Sequence, residues 1–422
     1  MMKILHLARF DVGGAAKAML RLHRALCQQG HDSRILVQQQ FHPEEMGVYV
    51  FQDTPLSFLK KAKQSLAYRW FYFRKKQLAR KYGPLPLPFS LAQSVYSLTG
   101  HAFIQWADII HLHWVAEFVD YPRFFAQVQK PIVWTLHDMH PFTGGEHYSW
   151  GALPPNDLYP LLVQKQLQLK RSAIEQAKHL VLVCPSKWIQ TQSIASPVFK
   201  GLNHYHIPNG IDLAHSSRLS QREAREKWHF PPQSFILIFV SEHLQNPIKG
   251  LAHLIEALPK TNTTGLLCLL VGKSEGPLPG FPFQHLEYQP KEQAMAELYA
   301  AADVCVVPSL IDNFPNTVLE AMAAGRPVIG YSSGGIGEMI KHQHNGLLVE
   351  TGNVGALQQA IAHCIHQPEV CQKMGQQARI WVENTCAQEK ITFQYQEIYE
   401  KLGHNLRPGF NAPLTKALGP DS

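Results

Sequence analysis

The 422-residue chain has no apolar run approaching the roughly 18 residues needed to cross a bilayer. Its start, "MMKILHLARF", offers one lysine and a strand-like apolar stretch where a signal peptide would have a charged segment, an apolar core and a cleavage site. A cytoplasmic protein is the expectation. Seven cysteines, Cys27, Cys184, Cys268, Cys305, Cys364, Cys371 and Cys386, are scattered, odd in number and never spaced C-x-x-C. That argues against a disulfide framework and a zinc knuckle, and they read as small buried hydrophobes. Short-period repeats and low-complexity tracts are also missing.

Acids are missing from one stretch. Between Phe58 and Gly83, "FLKKAKQSLAYRWFYFRKKQLARKYG" carries nine Lys or Arg and no Asp or Glu, interleaved with aromatics. Two readings stand open: a helix lying on an anionic membrane surface, and an ordinary solvated helix with an apolar underside. Over the whole chain, 39 basic against 32 acidic residues give a net charge of +7. That suits an anionic ligand or surface, and no nucleic-acid partner is expected. At 45% hydrophobic and 17% charged residues, the chain can bury a substantial core. Its length exceeds the size at which one core stops growing, so two domains with a cleft between them are predicted.

The pattern along the chain is strand then helix, repeatedly. "KILHLA" (3–8) precedes a helical stretch that Gly30 stops, and "SRILVQ", "ADIIHLHW", "PIVWTLH", "HLVLVC" and "HYHIPN" are further strand candidates. The cycle restarts at 234–241, 265–272, 302–309, 326–332 and 345–350, with helices at 249–258, 291–301 and 317–325 between them. Such alternation predicts an α/β architecture with two doubly wound parallel sheets. The boundary falls near residue 212, in "PNGIDLAHSSRLSQ". Residues 1–212 form the first domain and 213–385 the second, with a last amphipathic helix at about 386–403 and a frayed tail over 404–422.

Open α/β sheets bind ligands outside the carboxyl ends of their strands, so the loops there are where chemistry is sought. "ARFDVGGAAKA" sets Gly13 and Gly14 between the first strand and helix, where free N–H groups and the helix N-terminus suit an oxyanion. The G-x-G-x-x-G spacing of a dinucleotide site is absent, and a tight turn needing glycine is the plain alternative. "NPIKGL" puts Lys249 at a helix start, where a cation weakens the helix slightly and is tolerable if it meets a phosphate; a solvated lysine is the plain alternative. "WTLHDMHPFTGGEHY" gathers His137, Asp138, His140 and His147 in a spacing that is not a zinc pattern, so a hydrogen-bonding cluster lining a cleft is predicted. In "PSLIDNFPNTVLEAMAAGRPVIGYSSGG" (308–335), Thr317 to Glu320 match a capping box. That leaves Asp312, Asn313, Pro308, Pro315 and the following glycines unexplained. A stiff loop of carboxylate, amides and free N–H groups suits a hydroxyl-rich ligand.

Here the chain resembles the family 4 glycosyltransferases, retaining enzymes of the GT-B fold: two Rossmann-like domains facing across a cleft, with a C-terminal helix crossing back. Asp312 to Glu320 is similar to that family's E-x7-E motif, with Asp in the first place. The Gly-Gly loop, "TLHD", "PNGID", the Lys-Gly pair, "LEAMAAGRPVIG" and "GGIGEMI" follow in the expected order. "DNFPN" and "HDMHPFTGG" are similar to stretches of bacterial transferases of exopolysaccharide, colanic-acid and lipopolysaccharide assembly. The resemblance implies a nucleoside diphosphate sugar as donor, a saccharide or lipid-linked acceptor, and no resident cofactor or metal. It assigns the ribose hydroxyls to Glu320 and the donor sugar to Asp312 and the amides of Asn313, Phe314, Pro315 and Asn316. Lys249 would meet the diphosphate beside Gly13 and Gly14, and His137 would lie near the sugar across the cleft. His137, Asp312 and Lys249 are thereby the catalytic candidates. The protein is expected in the cytoplasm, or on the inner face of the membrane through residues 58–83.

Two departures matter. Many relatives carry an Arg five residues before the lysine, where this chain has Leu244; Arg9, Lys17 and Lys273 are the substitutes open to it. Relatives with "TGG" often continue with cysteines, and here Glu146 follows, so no metal is expected in that loop. No D-x-D occurs, which argues against the metal-dependent GT-A alternative. The resemblance implies same-face attack, in which the leaving phosphate oxygen takes the acceptor proton. Two other readings remain: a sugar-nucleotide epimerase on the same scaffold, and a non-catalytic binding subunit that has lost turnover.

Overall fold

The computed structural model describes residues 1–51, 58–82, 85, 88–149, 158–215, 219–258, 265–276, 283–289 and 291–404. The tail expected beyond the last helix lies outside these residues. Seven strands, β1 (Lys3–Phe10), β2 (Asp32–Gln39), β3 (Val48–Val50), β4 (Ile109–Leu112), β5 (Ile132–Thr135), β6 (Leu180–Cys184) and β7 (Asn203–His206), form one sheet in the order 3-2-1-4-5-6-7. Six more, β8 (Phe235–His243), β9 (Leu266–Lys273), β10 (Phe283–Leu286), β11 (Val304–Val307), β12 (Val328–Tyr331) and β13 (Gly346–Val349), form a second in the order 10-9-8-11-12-13. Every strand pairing in both sheets is parallel. The short edge strands β3 and β10 had no clear pattern in the sequence, being half-exposed and only three and four residues long.

The inner strands are apolar on both faces because both faces are covered. In the first sheet, Leu5, Ile110, Leu112, Trp134 and Leu182 point to one core and Ile4, Ile109, Val133 and Val181 to the other. Helix Gly14–Gln28 covers the second face with Leu22 and Leu26. Helix Gln388–His404 covers it as well, with Ile391, Tyr395, Ile398, Tyr399 and Leu402. The chain therefore finishes on the lobe where it began. In the second sheet, Ile236, Ile238, Cys305 and Val307 alternate with Leu237, Phe239, Val304 and Val306 between two further cores.

The chain crosses between the lobes twice, side by side. The Ile211 N–H donates to the Cys386 carbonyl at 2.9 Å, and the Gln388 N–H donates to the Ile211 carbonyl at 3.0 Å. Six of the seven cysteines are buried, as small hydrophobes should be, but Cys27 is exposed in the last turn of the first helix. The basic stretch is a single helix, Phe58–Tyr82. One face has the apolar underside of an ordinary surface helix, Phe71, Leu78 and Tyr82 packing against Phe89, Leu91, Tyr159 and Leu162, while Trp70, Tyr72 and Phe73 are exposed. The side chains of residues 58–65 and 67 lie outside the description.

The Tyr399 hydroxyl bonds the buried His111 ring at 2.7 Å, and its ring is fully enclosed. Tyr399→Ala is expected to destabilise the protein by about 3 kcal/mol, a large aromatic lost from a core. Tyr399→Phe, which removes the hydroxyl alone, should cost about 1 kcal/mol. Urea unfolding of the two variants beside the parent measures both.

Candidate active site

Each sheet changes winding direction once, between β1 and β4 and between β8 and β11. Loops diverge at such points and leave a crevice. Here the two crevices face each other. Gly13, at φ +91°, begins the first helix, and the Glu242 carboxylate of the other lobe lies 3.5 Å from the position a Cβ would take on it. Across the same gap the Asn316 amide donates to the Gly14 carbonyl at 2.8 Å.

The loop after β11 carries the acidic pair. Asp312 is nearly buried, and its carboxylate accepts from Lys249 Nζ at 2.6 Å and from the Asn313 N–H at 3.0 Å. Lys249 closes a 3-10 turn, Pro247–Lys249, one residue short of the helix Leu251–Ala257 that was expected to begin with it. Gly250 follows at φ +75°, where a side chain would strike the Pro308 carbonyl at 1.9 Å. The "SSGG" turn presses on the loop from the opposite side. A Cβ on Gly334 would meet the Asp312 carbonyl at 1.9 Å, and one on Gly335 the Asn313 carbonyl at 1.8 Å. The Gly335 N–H donates to the Asp312 carbonyl at 2.9 Å. These glycines allow three backbone segments to close around the acidic loop.

Glu320 corrects the capping-box expectation. The helix begins at Asn316 behind Pro315, with no side-chain cap, so Glu320 lies too deep to reach back to the N-terminus. It crosses the gap instead and accepts from Lys17 Nζ and Arg21 Nη2 of the first helix, each at 2.8 Å. Burial by itself would raise its pKa, but the two cations outweigh that and hold it below the usual glutamate value. Tyr288 sits beside Lys17, whose ammonium lies 5.4 Å from the ring centroid.

The remaining "DNFPN" residues knit the lobes together. Asn313 donates to the Leu136 carbonyl at 2.8 Å and the His137 carbonyl at 3.2 Å, while its side-chain oxygen accepts from Ser186 at 2.6 Å. The Phe314 ring enters the core of the second lobe, and its carbonyl accepts from Asn209 of "PNGID" at 3.1 Å. The expected row of donor amides from Asn313 to Asn316 is shorter than assumed. Proline has no N–H, and the Asn313 N–H is engaged by Asp312, which leaves those of Phe314 and Asn316. Glu338 adds a further link, accepting from the Lys187 and Trp188 N–H groups at 2.8 and 2.7 Å where a helix begins.

On the first lobe, the "HDMHPFTGG" loop is held from beneath by hydrogen bonds. Asp138 accepts from Trp114 at 2.7 Å, from His147 at 2.6 Å and from the His140 N–H at 3.0 Å. Lys170, fully buried, donates to the Thr143 carbonyl at 3.0 Å and also to that of His140. Ser90, His147 and Asp138 stand in the order of a hydrolytic triad, but all three are buried and serve to fix the loop. His137 leaves this cluster and sits partly exposed at the gap, its pKa lowered to about 4 by burial, with Asp138 opposing.

Two family descriptions match the chain, Glycosyltransferase Family 4 over residues 12–215 and Glycosyl transferases group 1 over residues 234–367. The chain belongs to the family 4 glycosyltransferases. This glycosyltransferase is 29% identical to the N-acetyl-alpha-D-glucosaminyl L-malate synthase of Bacillus anthracis, over 55% of its own length and 61% of the relative's. It thus spans less than two thirds of that protein. It is 28% identical to the Bacillus subtilis protein named as the glycosyltransferase EpsD, over 64% of its own length and 71% of the relative's. Its fold is similar to that of HepE from Anabaena, solved with UDP-glucose (TM-score 0.66, 18% identity, 95% and 100% of the two chains). Sucrose-phosphate synthase of Thermosynechococcus elongatus is also similar (TM-score 0.69, 20% identity, 96% and 100%). The fold is GT-B.

Sequence reasoning passed over Arg21, which meets Glu320 across the gap, and Ser186, which caps its own helix by accepting from the Ile189 N–H at 3.1 Å and also donates across the gap to Asn313. The glycine contacts yield a direct test. Gly335→Ala is expected to force the acidic loop open, costing about 2 kcal/mol or more in stability and weakening any ligand that Asp312 holds. Thermal unfolding with and without ligand measures the two effects separately.

Proposed function

We propose that this glycosyltransferase moves a sugar from a nucleoside diphosphate sugar to a saccharide or lipid-linked acceptor of cell-surface polysaccharide, with retention at the anomeric carbon. One observation carries the reading: each carboxylate of the acidic loop and its helix is matched with cations, Asp312 with Lys249 and Glu320 with Lys17 and Arg21. A ligand with hydroxyls at both ends and a diphosphate between them complements that pattern. Its hydroxyls donate to the carboxylates and its phosphates take the cations. The solved complexes of HepE with UDP-glucose and with UDP and glucose support the donor class. The Bacillus subtilis relatives EpsD and TuaC, the second named for teichuronic acid biosynthesis, support the polysaccharide role.

In this reading Asp312 orients the sugar, Glu320 the ribose, and His137 faces the sugar from the first lobe. Lys249 and the Gly13–Gly14 turn stabilise the departing diphosphate. Lys17 supplies the cation that Leu244 cannot. Leu244 is buried in the core, Arg9 is held by Glu117 at 3.2 Å and Gln38 at 3.0 Å, Lys273 is exposed at the end of β9, and Lys17 reaches across the gap to Glu320 at 2.8 Å. A phosphate oxygen of the leaving group accepts the acceptor proton, so no side chain acts as nucleophile. The charge compensation comes from side chains and the reaction needs no resident cofactor.

Screening nucleotide sugars for thermal stabilisation tests the reading, since a ligand of the folded state raises the midpoint. A donor that stabilises and also yields a new glycosidic product supports it. Binding without any transfer or hydrolysis favours a non-catalytic subunit, and C-epimerised donor as the only product favours an epimerase. Lys17→Gln should weaken binding of the nucleoside diphosphate about tenfold, the loss of one charged hydrogen bond, while sparing the nucleoside.

The basic helix supports a site on the inner membrane surface, with Trp70, Tyr72 and Phe73 exposed and Arg74 packed over Trp70 at 4.7 Å. No described helix is long and apolar enough to cross a membrane. Replacing Arg69, Arg74 and Lys76 by Gln should lower binding to anionic liposomes by about 1 kcal/mol per charge and leave donor binding unchanged.

A further inference from the structure

His137 stands at the end of a buried line of imidazoles. On β1, β4 and the extension of β5, alternate residues on one sheet face change from apolar to polar toward the carboxyl ends. Ile4 gives way to His6, Ile109 to His111 and His113, and Val133 to Thr135 and His137. His6 Nδ1 lies 3.0 Å from His113 Nε2, and His113 Nδ1 lies 3.1 Å from His137 Nε2. His6, His111 and His113 are at most 3% exposed. Burial first, and the neighbouring imidazoles next, keep His6 and His113 neutral well below the usual histidine value.

A neutral imidazole has one N–H and one lone pair. Such a line can therefore run in only two directions, and His6 selects between them. Its Nε2 is buried without a hydrogen-bond partner. A proton there would leave a donor orphaned in the core, the costlier of the two ways to leave that nitrogen unpaired. The proton belongs on Nδ1, which donates to His113 Nε2. His113 then carries its own proton on Nδ1 and donates to His137 Nε2. The remaining proton of His137 lies on Nδ1, which has no partner among the described residues and belongs to a partly exposed ring at the gap.

We propose that His6 and His113 are positioning residues that hold His137 as its Nδ1–H tautomer, so that the ring offers a hydrogen-bond donor to the molecule bound between the lobes. That this molecule is a sugar donor rests on the function proposed above; the tautomer does not. In free imidazole side chains the Nε2–H form prevails in water, so the protein inverts the ordinary preference. An N–H at this place suits a sugar hydroxyl oxygen or a phosphoryl oxygen. It cannot take a proton, which leaves the acceptor proton to the departing phosphate. A metal ion fits the same residues poorly. His6, His111 and His113 place nitrogens within 4.8 Å of one another, but five of their six nitrogens already face hydrogen-bond partners.

Two-bond 15N–13C correlation spectra of the full-length protein with labelled histidine read the tautomer directly, with His137→Gln identifying the signal. The expected result for the parent at pH 7 is His137 with Nδ1 protonated. An Nε2–H signal in the folded parent overturns the proposal without recourse to any variant. His113→Phe, which keeps the ring and removes both nitrogens, should release His137 to the Nε2–H form, whereas His113→Gln, which retains a donor and an acceptor, should preserve Nδ1–H. With an active donor in hand, His113→Phe should lower kcat about tenfold with KM little changed, the loss of one hydrogen bond in the transition state, and His113→Gln should recover most of it. The spectra do not depend on turnover, so failure of the tautomer and failure of the glycosyl-transfer reading are told apart.

Discussion

Two carboxylates buried at a domain boundary must be matched by cations, and the architecture follows from that requirement. Glu320 is held by two side chains that belong to the other lobe. A carboxylate removed from water and deprived of its partner costs several kcal/mol, so the lobes are held together wherever nothing else supplies Glu320 with donors. Asp312 solves the same problem within its own lobe through Lys249. One acid is thus a link between lobes and the other a local feature, although they lie eight positions apart on one loop and helix.

The backbone around these acids is as constrained as their charges. Gly250, Gly334 and Gly335 each sit where another segment's carbonyl occupies the space of a side chain. The loop is therefore set by contact from both sides, with Pro308 and Pro315 restricting its own dihedrals. Both asparagines of "DNFPN" then reach across the gap. A hydroxyl-binding site of this kind gains its precision from rigid surroundings as much as from the polar groups.

Much of this was legible in the sequence, because buried parallel strands are written as continuous apolar runs and the helices between them as periodic ones. Eleven of the described strands were readable, including the short, partly exposed edge strand Asn203–His206, and the fold followed from their alternation. The edge strands Val48–Val50 and Phe283–Leu286 were not, since a partly exposed strand of three or four residues carries only a weak pattern of its own. In the site, glycines and acids announced themselves by their spacing. What stayed hidden were the partners: nothing local to Glu320 distinguishes a capping carboxylate from one that meets Lys17 and Arg21 some 300 residues earlier. Among the histidines of "KILHLA", "IIHLHW" and "WTLHD", His111 and His113 had a visible spacing of two, but only strand register shows that the three segments put them on one face.

That face makes the first lobe intolerant of acid. Each enclosed ring stays uncharged in the native protein, while the same ring in an unfolded chain gains a proton once the surroundings drop below the ordinary histidine range. Falling pH thus draws the equilibrium toward the denatured form through several groups at once. The steepness of that response grows with their number, so the packing that organises the cleft also sets an acid limit on the folded state.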